Sequence, residues 1–278
     1  MNIGIIMAGG SGTRMSAALP KQFIDLGGKP IIMHTLSKFL ESDCFDAIYI
    51  GIHPDWAENM VELLSSASSC GGDSFSDLDI NGNLTPIRVI PGGADRNSTL
   101  LNVLDAIEDD FAEAFTTHGT SAASNTNPII VTHDAVRPFL TVQMIERSIA
   151  SATAYGIATV AIPTIDTIAT ASRFKSGSAC QTTSYASATC DTSATFIASI
   201  PDRSTLYNIQ TPQSFRLSLF RDAYSNLSID QIATLTDVCG IFTAAGFPIE
   251  IVPGSPENIK ITTPFDLKLA ELLLSLQK

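Results

Sequence analysis

Between residues 7 and 23 the sequence reads Met7-Ala8-Gly9-Gly10-Ser11-Gly12-Thr13-Arg14-Met15, then Leu19-Pro20-Lys21-Gln22-Phe23. Glycines at this density let successive backbone N–H groups turn toward one anion, because no side chain blocks the dihedrals required. Arg14 and Lys21 add positive charge at the rim. The set suits a nucleoside triphosphate, whose roughly four negative charges all need partners. The loop lacks the Gly-Lys-Ser/Thr of a P-loop and the full spacing of the dinucleotide fingerprint. For the glycines taken alone, a turn beside two solvated cations is the plain alternative.

Three further segments hold residues of similar promise. Thr132-His133-Asp134-Ala135-Val136-Arg137-Pro138-Phe139 follows an apolar run. An aspartate at a strand end facing a triphosphate can hold Mg2+ through one carboxylate while phosphate oxygens fill other positions. Equally, Asp134 can cap the following turn and pair with Arg137. His133 reads as a packed, hydrogen-bonded orienter rather than a general base. Gly92-Gly93-Ala94-Asp95-Arg96-Asn97-Ser98-Thr99 joins a strand to a helix. Its hydroxyls and N–H groups suit a nucleobase edge, or else Asn97 or Ser98 caps the helix. In Asn258-Ile259-Lys260-Ile261-Thr262-Thr263-Pro264, Lys260 either reaches the same crevice or is a solvated surface lysine. Thr263 is placed to cap the last helix.

These residues need a frame that brings them together. Strand-like runs at Ile3–Met7, Ala47–Ile52, Ile87–Ile90, Ile129–Thr132, Thr159–Ile162 and Ile249–Val252 alternate with helical patterns. The helices are expected at Pro30–Leu40, Asp55–Leu64, Asn97–Ile107, Val142–Ala154 and Phe265–Leu276. Such alternation predicts an α/β fold, a mostly parallel sheet wound with helices. Open sheets of this kind bind ligands at the carboxyl ends of their strands. Gly9, Gly93, His133-Asp134 and Asp166 each follow a predicted strand, so residues distant in sequence are expected to share one crevice.

Composition narrows the partners. The chain has 278 residues, a formal net charge of −12 and only 16 Lys and Arg. That balance argues against nucleic acid or an anionic membrane, and it makes a local cluster of cations informative. Five cysteines, Cys44, Cys70, Cys180, Cys190 and Cys239, form no Cys-x-x-Cys pair and fit reduced thiols of a cytoplasmic protein. No apolar stretch approaches the roughly 20 residues of a membrane span. Ser65–Leu84, Thr116–Asn127 and Ser172–Ala194 are rich in small polar residues and read as partly disordered insertions.

Together the motifs resemble one family, the cytidylyltransferases that move CMP from CTP to a polyol phosphate. The glycine loop with Arg14, Pro20-Lys21-Gln22, His133-Asp134-Ala135-x-Arg137-Pro138, Thr211-Pro212-Gln213 and Asn258-Ile259-Lys260 match it in order and spacing, over Ile3 to Leu274. The resemblance implies a single Rossmann-like domain over 1–278 with an extended β-arm, 166–211, that embraces a second subunit in a homodimer. It implies that Ala8, Gly9, Gly10, Gly12, Arg14 and Lys21 cradle the CTP phosphates, with Lys260 reaching them. Gly93 and Thr99 would contact the cytosine, and Asp134 would bind Mg2+. Arg137, Asp166, Thr167, Arg203 and Thr211 would surround the polyol phosphate, Arg203 in the neighbour's site. The insertion 172–194 departs from the family pattern.

Two branches of that family are relevant, one acting on 2-C-methyl-D-erythritol 4-phosphate in isoprenoid synthesis and one on D-ribitol 5-phosphate in teichoic acid and capsule synthesis. Ala94 stands where the isoprenoid enzymes usually carry an acid. Ile52-His53-Pro54-Asp55-Trp56, Leu206-Tyr207-x-x-Gln210-Thr211-Pro212-Gln213 and Leu235-Thr236-Asp237-x-Cys239 also look more like the ribitol branch. On that resemblance ribitol 5-phosphate is the expected acceptor and methylerythritol phosphate the alternative. Rival readings are a sugar-1-phosphate nucleotidyltransferase using UTP or GTP, and a regulatory nucleotide-binding module.

Overall fold

A computed structural model of the chain describes residues 1–10, 19–67, 85–112, 127–173 and 195–276. Gly12, Arg14, Cys70, Cys180 and Cys190 lie outside these residues, as does most of each expected insertion. The described elements begin with β1 (Asn2–Ala8), the small hairpin β2 (Asp25–Leu26) and β3 (Lys29–Pro30), then α1 (Ile31–Glu41), β4 (Ala47–Ile52) and α2 (Ala57–Ala67). They continue with β5 (Ile87–Pro91), α3 (Arg96–Asp110), β6 (Ile129–Asp134), α4 (Val142–Tyr155), β7 (Ile157–Pro163), β8 (Thr170–Arg173) and β9 (Thr195–Ser199). The last are β10 (Tyr207–Arg216), α5 (Leu217–Ser225), α6 (Ile229–Thr234), α7 (Val238–Ala244), β11 (Glu250–Pro253) and α8 (Pro264–Leu276).

The run Ile3 to Ile6 is buried on both faces, as a strand covered by helices on each side must be. Alternation along it sends Ile3, Ile5 and Met7 into one apolar cluster, with Leu100, Val103 and Ile107 of α3 and Phe220 of α5. Ile6 and Ala8 enter the other, with Leu36 and Phe39 of α1, Met60 of α2 and Ile145 of α4. A third cluster of Leu26, Ile31, Val136, Phe139, Ile261 and Ala270 ties the β2–β3 hairpin to α8.

The sheet order is β11-β7-β10-β6-β1-β4-β5. Register sets the site: Met7 pairs with Asp134 of β6 and Ala8 with Ile52 of β4, so three parallel strands end level. Strand β10 runs antiparallel to β6, with Gln213 opposite Thr132 and Arg216 opposite Ile129. Its earlier half, with Thr211, therefore lies toward the end where Asp134 stands.

The expected strands and helices are present within a few residues of their predicted limits, but β10 and α5 to α7 were not among them. The cap of α3 also differs from expectation. Asp95, not Asn97 or Ser98, caps it, its Oδ1 accepting from Ser98 N at 2.7 Å while Asp95 N donates to Ser98 Oγ at 2.9 Å. An aspartate cap satisfies an open N–H and places negative charge at the positive helix end. Thr263 caps α8 as expected, accepting from Asp266 N at 3.3 Å.

The chain divides into two compact units, Met1–Ala161 with Ile209–Lys278, and Ile162–Asn208. In the smaller unit β8 and β9 pair antiparallel, and Thr164 N donates to Leu206 O at 3.0 Å. Phe196, Ile197 and Ile200 are exposed there. Among the described residues no helix is long and apolar enough to cross a membrane.

Candidate active site

The end of β1 passes into Gly9 and Gly10, and the following 3-10 turn, Lys21–Phe23, is fastened back onto it. Buried Gln22 makes that tie, its Nε2 donating to Ala8 O at 2.8 Å. The tie holds Lys21 alongside the glycines, with its Cε 3.8 Å from where a Cβ on Gly10 would stand. Gln22 belongs to the sequence motif, yet nothing in the sequence revealed this anchoring.

Beyond β5, Gly92 and Gly93 are glycines by necessity. A Cβ on Gly92 would stand 2.6 Å from Thr99 Oγ1 and 3.0 Å from Ile52 O, and one on Gly93 would stand 2.5 Å from Ser98 Oγ. Thr99 is 1% exposed, and its hydroxyl accepts from Gly93 N at 3.1 Å and donates to Asp95 O at 2.7 Å. Thr99 thus braces the loop from beneath, while Gly93 lies partly exposed above it.

Asp134 gathers the cations. Its side chain is 5% exposed, Oδ1 accepts from Arg96 at 2.6 Å, and Oδ2 meets Lys260 Nζ at 2.8 Å and Arg137 Nε at 3.5 Å. The expected pairing with Arg137 is present, and Arg137 N also donates to the backbone Asp134 O at 3.1 Å across the turn. Burial alone would raise the Asp134 carboxyl, but Arg96 and Lys260, then Arg137, outweigh it and hold it well below the usual carboxylate range.

Backbone ties keep these side chains in place. Ala135 N donates to Met7 O at 3.0 Å and Ile261 N to Val136 O at 2.9 Å, which sets the Lys260 segment beside the Asp134 turn. Arg137 donates to Asn258 O at 2.7 Å, and Asn258 Nδ2 to Thr211 O at 2.9 Å. Thr211 Oγ1 accepts from Asp134 N at 3.2 Å. A cleft of about 260 Å³ opens here, lined by Arg96, Asp134, Arg137, Thr211 and Lys260, with Ile209, Gln210, Gln213, Thr236 and Asp237 along its other wall.

In a chain of net charge −12, this cleft gathers three cations, Arg96, Arg137 and Lys260, at Asp134, a concentration that suits an anion. A family model covers nearly the whole chain. The model described as 2-C-methyl-D-erythritol 4-phosphate cytidylyltransferase, IspD, matches residues 3–276. The chain belongs to this cytidylyltransferase family. It is accordingly a nucleotidyltransferase.

Solved structures of similar fold agree. A 4-diphosphocytidyl-2C-methyl-D-erythritol synthase from Anaerococcus prevotii is 22% identical, with a TM-score of 0.67 over 98% of this chain and 95% of that one. The 2-C-methyl-D-erythritol 4-phosphate cytidylyltransferase of Thermus thermophilus is 22% identical, with a TM-score of 0.62 over 99% and 100%. That of Francisella tularensis is 23% identical, with a TM-score of 0.64 over 98% and 99%. At these identities the likeness speaks for the fold.

In this cytidylyltransferase, then, the larger unit brings Asp134, Arg137, Thr211 and Lys260 together in one cleft, and sets Ala8, Gly9, Gly10 and Lys21 at the end of the adjacent strand β1. Arg96 was missed as a site residue. The available signal was a cation at the first position of a helix, where acids are favoured. Asp166, Thr167 and Arg203 are exposed residues of the smaller unit, where Arg203 donates to Ile165 O at 3.2 Å. Gly12 and Arg14 lie outside the described residues.

His133 is fully buried, and its Nε2 is 3.1 Å from Arg137 O, a carbonyl that can only accept. Nε2 therefore carries the proton and Nδ1 is left without a partner among the described residues. Burial pushes the imidazole down to about 4. A base depressed on folding binds its proton in the unfolded chain first. The stability it supports is full above about 6.5 and is lost as pH falls toward 4, at up to about 1.4 kcal/mol per pH unit. Urea unfolding at pH 7, 6 and 5 should show this slope, and His133→Gln should flatten it. Equal slopes in both proteins would remove His133 as the cause.

Proposed function

We propose that the protein transfers the CMP group of CTP to a polyol phosphate, releasing pyrophosphate. The family match supports 2-C-methyl-D-erythritol 4-phosphate as the acceptor over D-ribitol 5-phosphate. The observation that carries the reading is the convergence of Arg96, Arg137 and Lys260 on Asp134, one strand away from the glycines that follow β1.

The reaction asks little of general bases. A phosphate oxygen of the acceptor attacks the α-phosphorus of CTP, and the bond from that phosphorus to the αβ-bridging oxygen breaks. The electron pair leaves with pyrophosphate. The acceptor phosphate is already largely ionised at neutral pH, since its second pKa is about 6. The obstacle is repulsion between two polyanions. Cations held in place before the substrates arrive remove it at no cost in reorganisation during reaction. Lys21, Lys260 and Arg14 serve the triphosphate in this reading, with backbone N–H groups from Ala8 to Gly12. Gly93, with Thr99 beneath it, serves the cytosine end. Arg137 and Thr211 take the acceptor phosphate.

Among the described residues no group of three or more His, Cys, Asp or Glu is placed to hold a metal by itself. Mg2+ does not require one, because it binds through one or two carboxylates plus substrate phosphates. Asp134, ionised and at the cleft wall, fits that donor set once a phosphate draws Lys260 or Arg96 off one of its oxygens. When bound, Mg2+ would add positive charge over the phosphates. The exposed apolar residues of the smaller unit support a further part of the reading: the arm packs on a second copy of the chain, in whose site Arg203 and Thr167 then act.

Ribitol 5-phosphate stays as a second reading because Ala94 stands exposed in the loop after β5, where the isoprenoid branch usually carries an acid. Pyrophosphate release from CTP, measured with each polyol phosphate in turn, separates the two. The same assay with UTP and GTP tests the nucleotide. Release with neither acceptor would end the cytidylyltransfer reading.

A further inference from the structure

On β10, Gln213 stands two residues beyond Thr211, and both line the cleft. Gln213 is 2% exposed and lines the same cleft as Asp134 and Lys260. Its Nε2 donates to Asp237 Oδ2 at 3.1 Å and to Cys239 Sγ at 3.1 Å. Asp237 in turn is fixed at the start of α7, its Oδ1 accepting from Gly240 N at 2.8 Å. A carboxylate cannot donate, so the amide is locked with its nitrogen toward α7. The other end, Oε1, is buried and has no partner among the described residues. Buried polar atoms left without partners are rare in folded proteins, and each asks for an explanation.

We propose that Gln213 Oε1 receives a hydrogen bond from a hydroxyl of the acceptor's carbon chain, and that Asp237 is the positioning residue that keeps the amide from turning over. This deepens the acceptor side of the proposed function and rests on it. The atom is an obligate acceptor, so its ligand must donate. Phosphate oxygens at pH 7 do not donate, whereas polyol hydroxyls do. The donating amine of cytosine belongs elsewhere, because the loop that carries Gly93 follows β5 and β10 is four strands from β5 in the sheet. The cleft is cationic at Arg137 and Lys260, whereas Gln213, Thr236 and the Asp237 carboxylate line it elsewhere, groups that suit hydroxyls and not a phosphate. A phosphorylated polyol has the same polarity, charged at one end and hydroxylated along the rest.

The test compares wild type, Gln213→Met and Asp237→Asn on the full acceptor and on analogues in which single hydroxyls are replaced by hydrogen. Wild type should discriminate against one deoxy analogue by at least tenfold in kcat/KM, because a site built to bond a hydroxyl rejects its absence. Gln213→Met should lose activity on the full acceptor by a similar factor, with KM for CTP unchanged, and should no longer discriminate at that hydroxyl. Asp237→Asn, which keeps a capping oxygen but lets the amide turn, should lose part of the discrimination. A purely structural role would lower all acceptors by one factor and leave the ratio intact, which would overturn the proposal. So would a wild type that accepts every deoxy analogue equally. If wild type turns over no polyol phosphate at all, the proposed function falls and the assignment of Gln213 falls with it. Turnover with intact discrimination in both variants removes the assignment of Gln213 alone.

Discussion

Lys21→Ala should fold normally and lose roughly two orders of magnitude or more in kcat. The lysine is carried on a short turn whose neighbour Gln22 is bonded to the end of β1, and it passes beside Gly10. Negative charge builds on the pyrophosphate as it departs, and a cation already in place stabilises that charge without rearrangement. Alanine removes the charge and leaves the Gln22 tie, so the melting curve should hardly move while turnover collapses. A melting curve and a steady-state pyrophosphate assay on the same preparation check both halves. Near-wild-type kcat in a folded variant would remove Lys21 from the chemistry.

Asp134→Asn should damage stability and turnover together. Arg96, Arg137 and Lys260 converge on this one buried carboxylate. Taking away one partner of a buried ion pair strands the rest, at about 3–5 kcal/mol. In a protein of this size that lowers the melting midpoint by on the order of 10 °C. The stranded cations also make a specific rescue available. Pyrophosphate should raise the midpoint of Asp134→Asn more than that of wild type, because it supplies the anion the asparagine lacks. Metal dependence should weaken in the same variant, since the amide no longer offers a charged oxygen. Unchanged melting together with unchanged response to EDTA would contradict this account.

How much of this was legible in the sequence depended on whether a residue's surroundings were local. The parallel strands were legible because Ile3–Ile6, Ala47–Ile52 and Ile129–Val131 are apolar runs buried on both faces. Strand β10 was not, because Pro212 and the polar Gln210, Thr211, Gln213 and Ser214 form no apolar run, and its first residues fell within the expected arm. Those polar groups are tolerated inside only through partners far away in sequence. Ser214 pairs with Ser148 at 2.5 Å, Gln210 donates to Ser255 O at 2.8 Å, and Gln213 leans on Asp237. Helix α6 has no buried residue in its six, so it carries no apolar periodicity to read. In the site, Asp134, Arg137 and Lys260 stood out as charges in apolar runs. Gln22 and Gln213 are amides whose roles exist only once the chain has folded.

Helix α3 opens on Arg96, directly behind its aspartate cap. A cation there opposes the helix dipole by about 0.3–1 kcal/mol, and what holds it is the carboxylate across the cleft. The first turn of α3 is thus a point of local frustration, in which the helix favours an anion while Asp134 demands a cation. In the proposed reaction a substrate phosphate reaching Arg96 would resolve the conflict, since the helix end and the guanidinium seek the same charge. Part of the free energy of binding that phosphate would then be release from a disagreement already present in the fold.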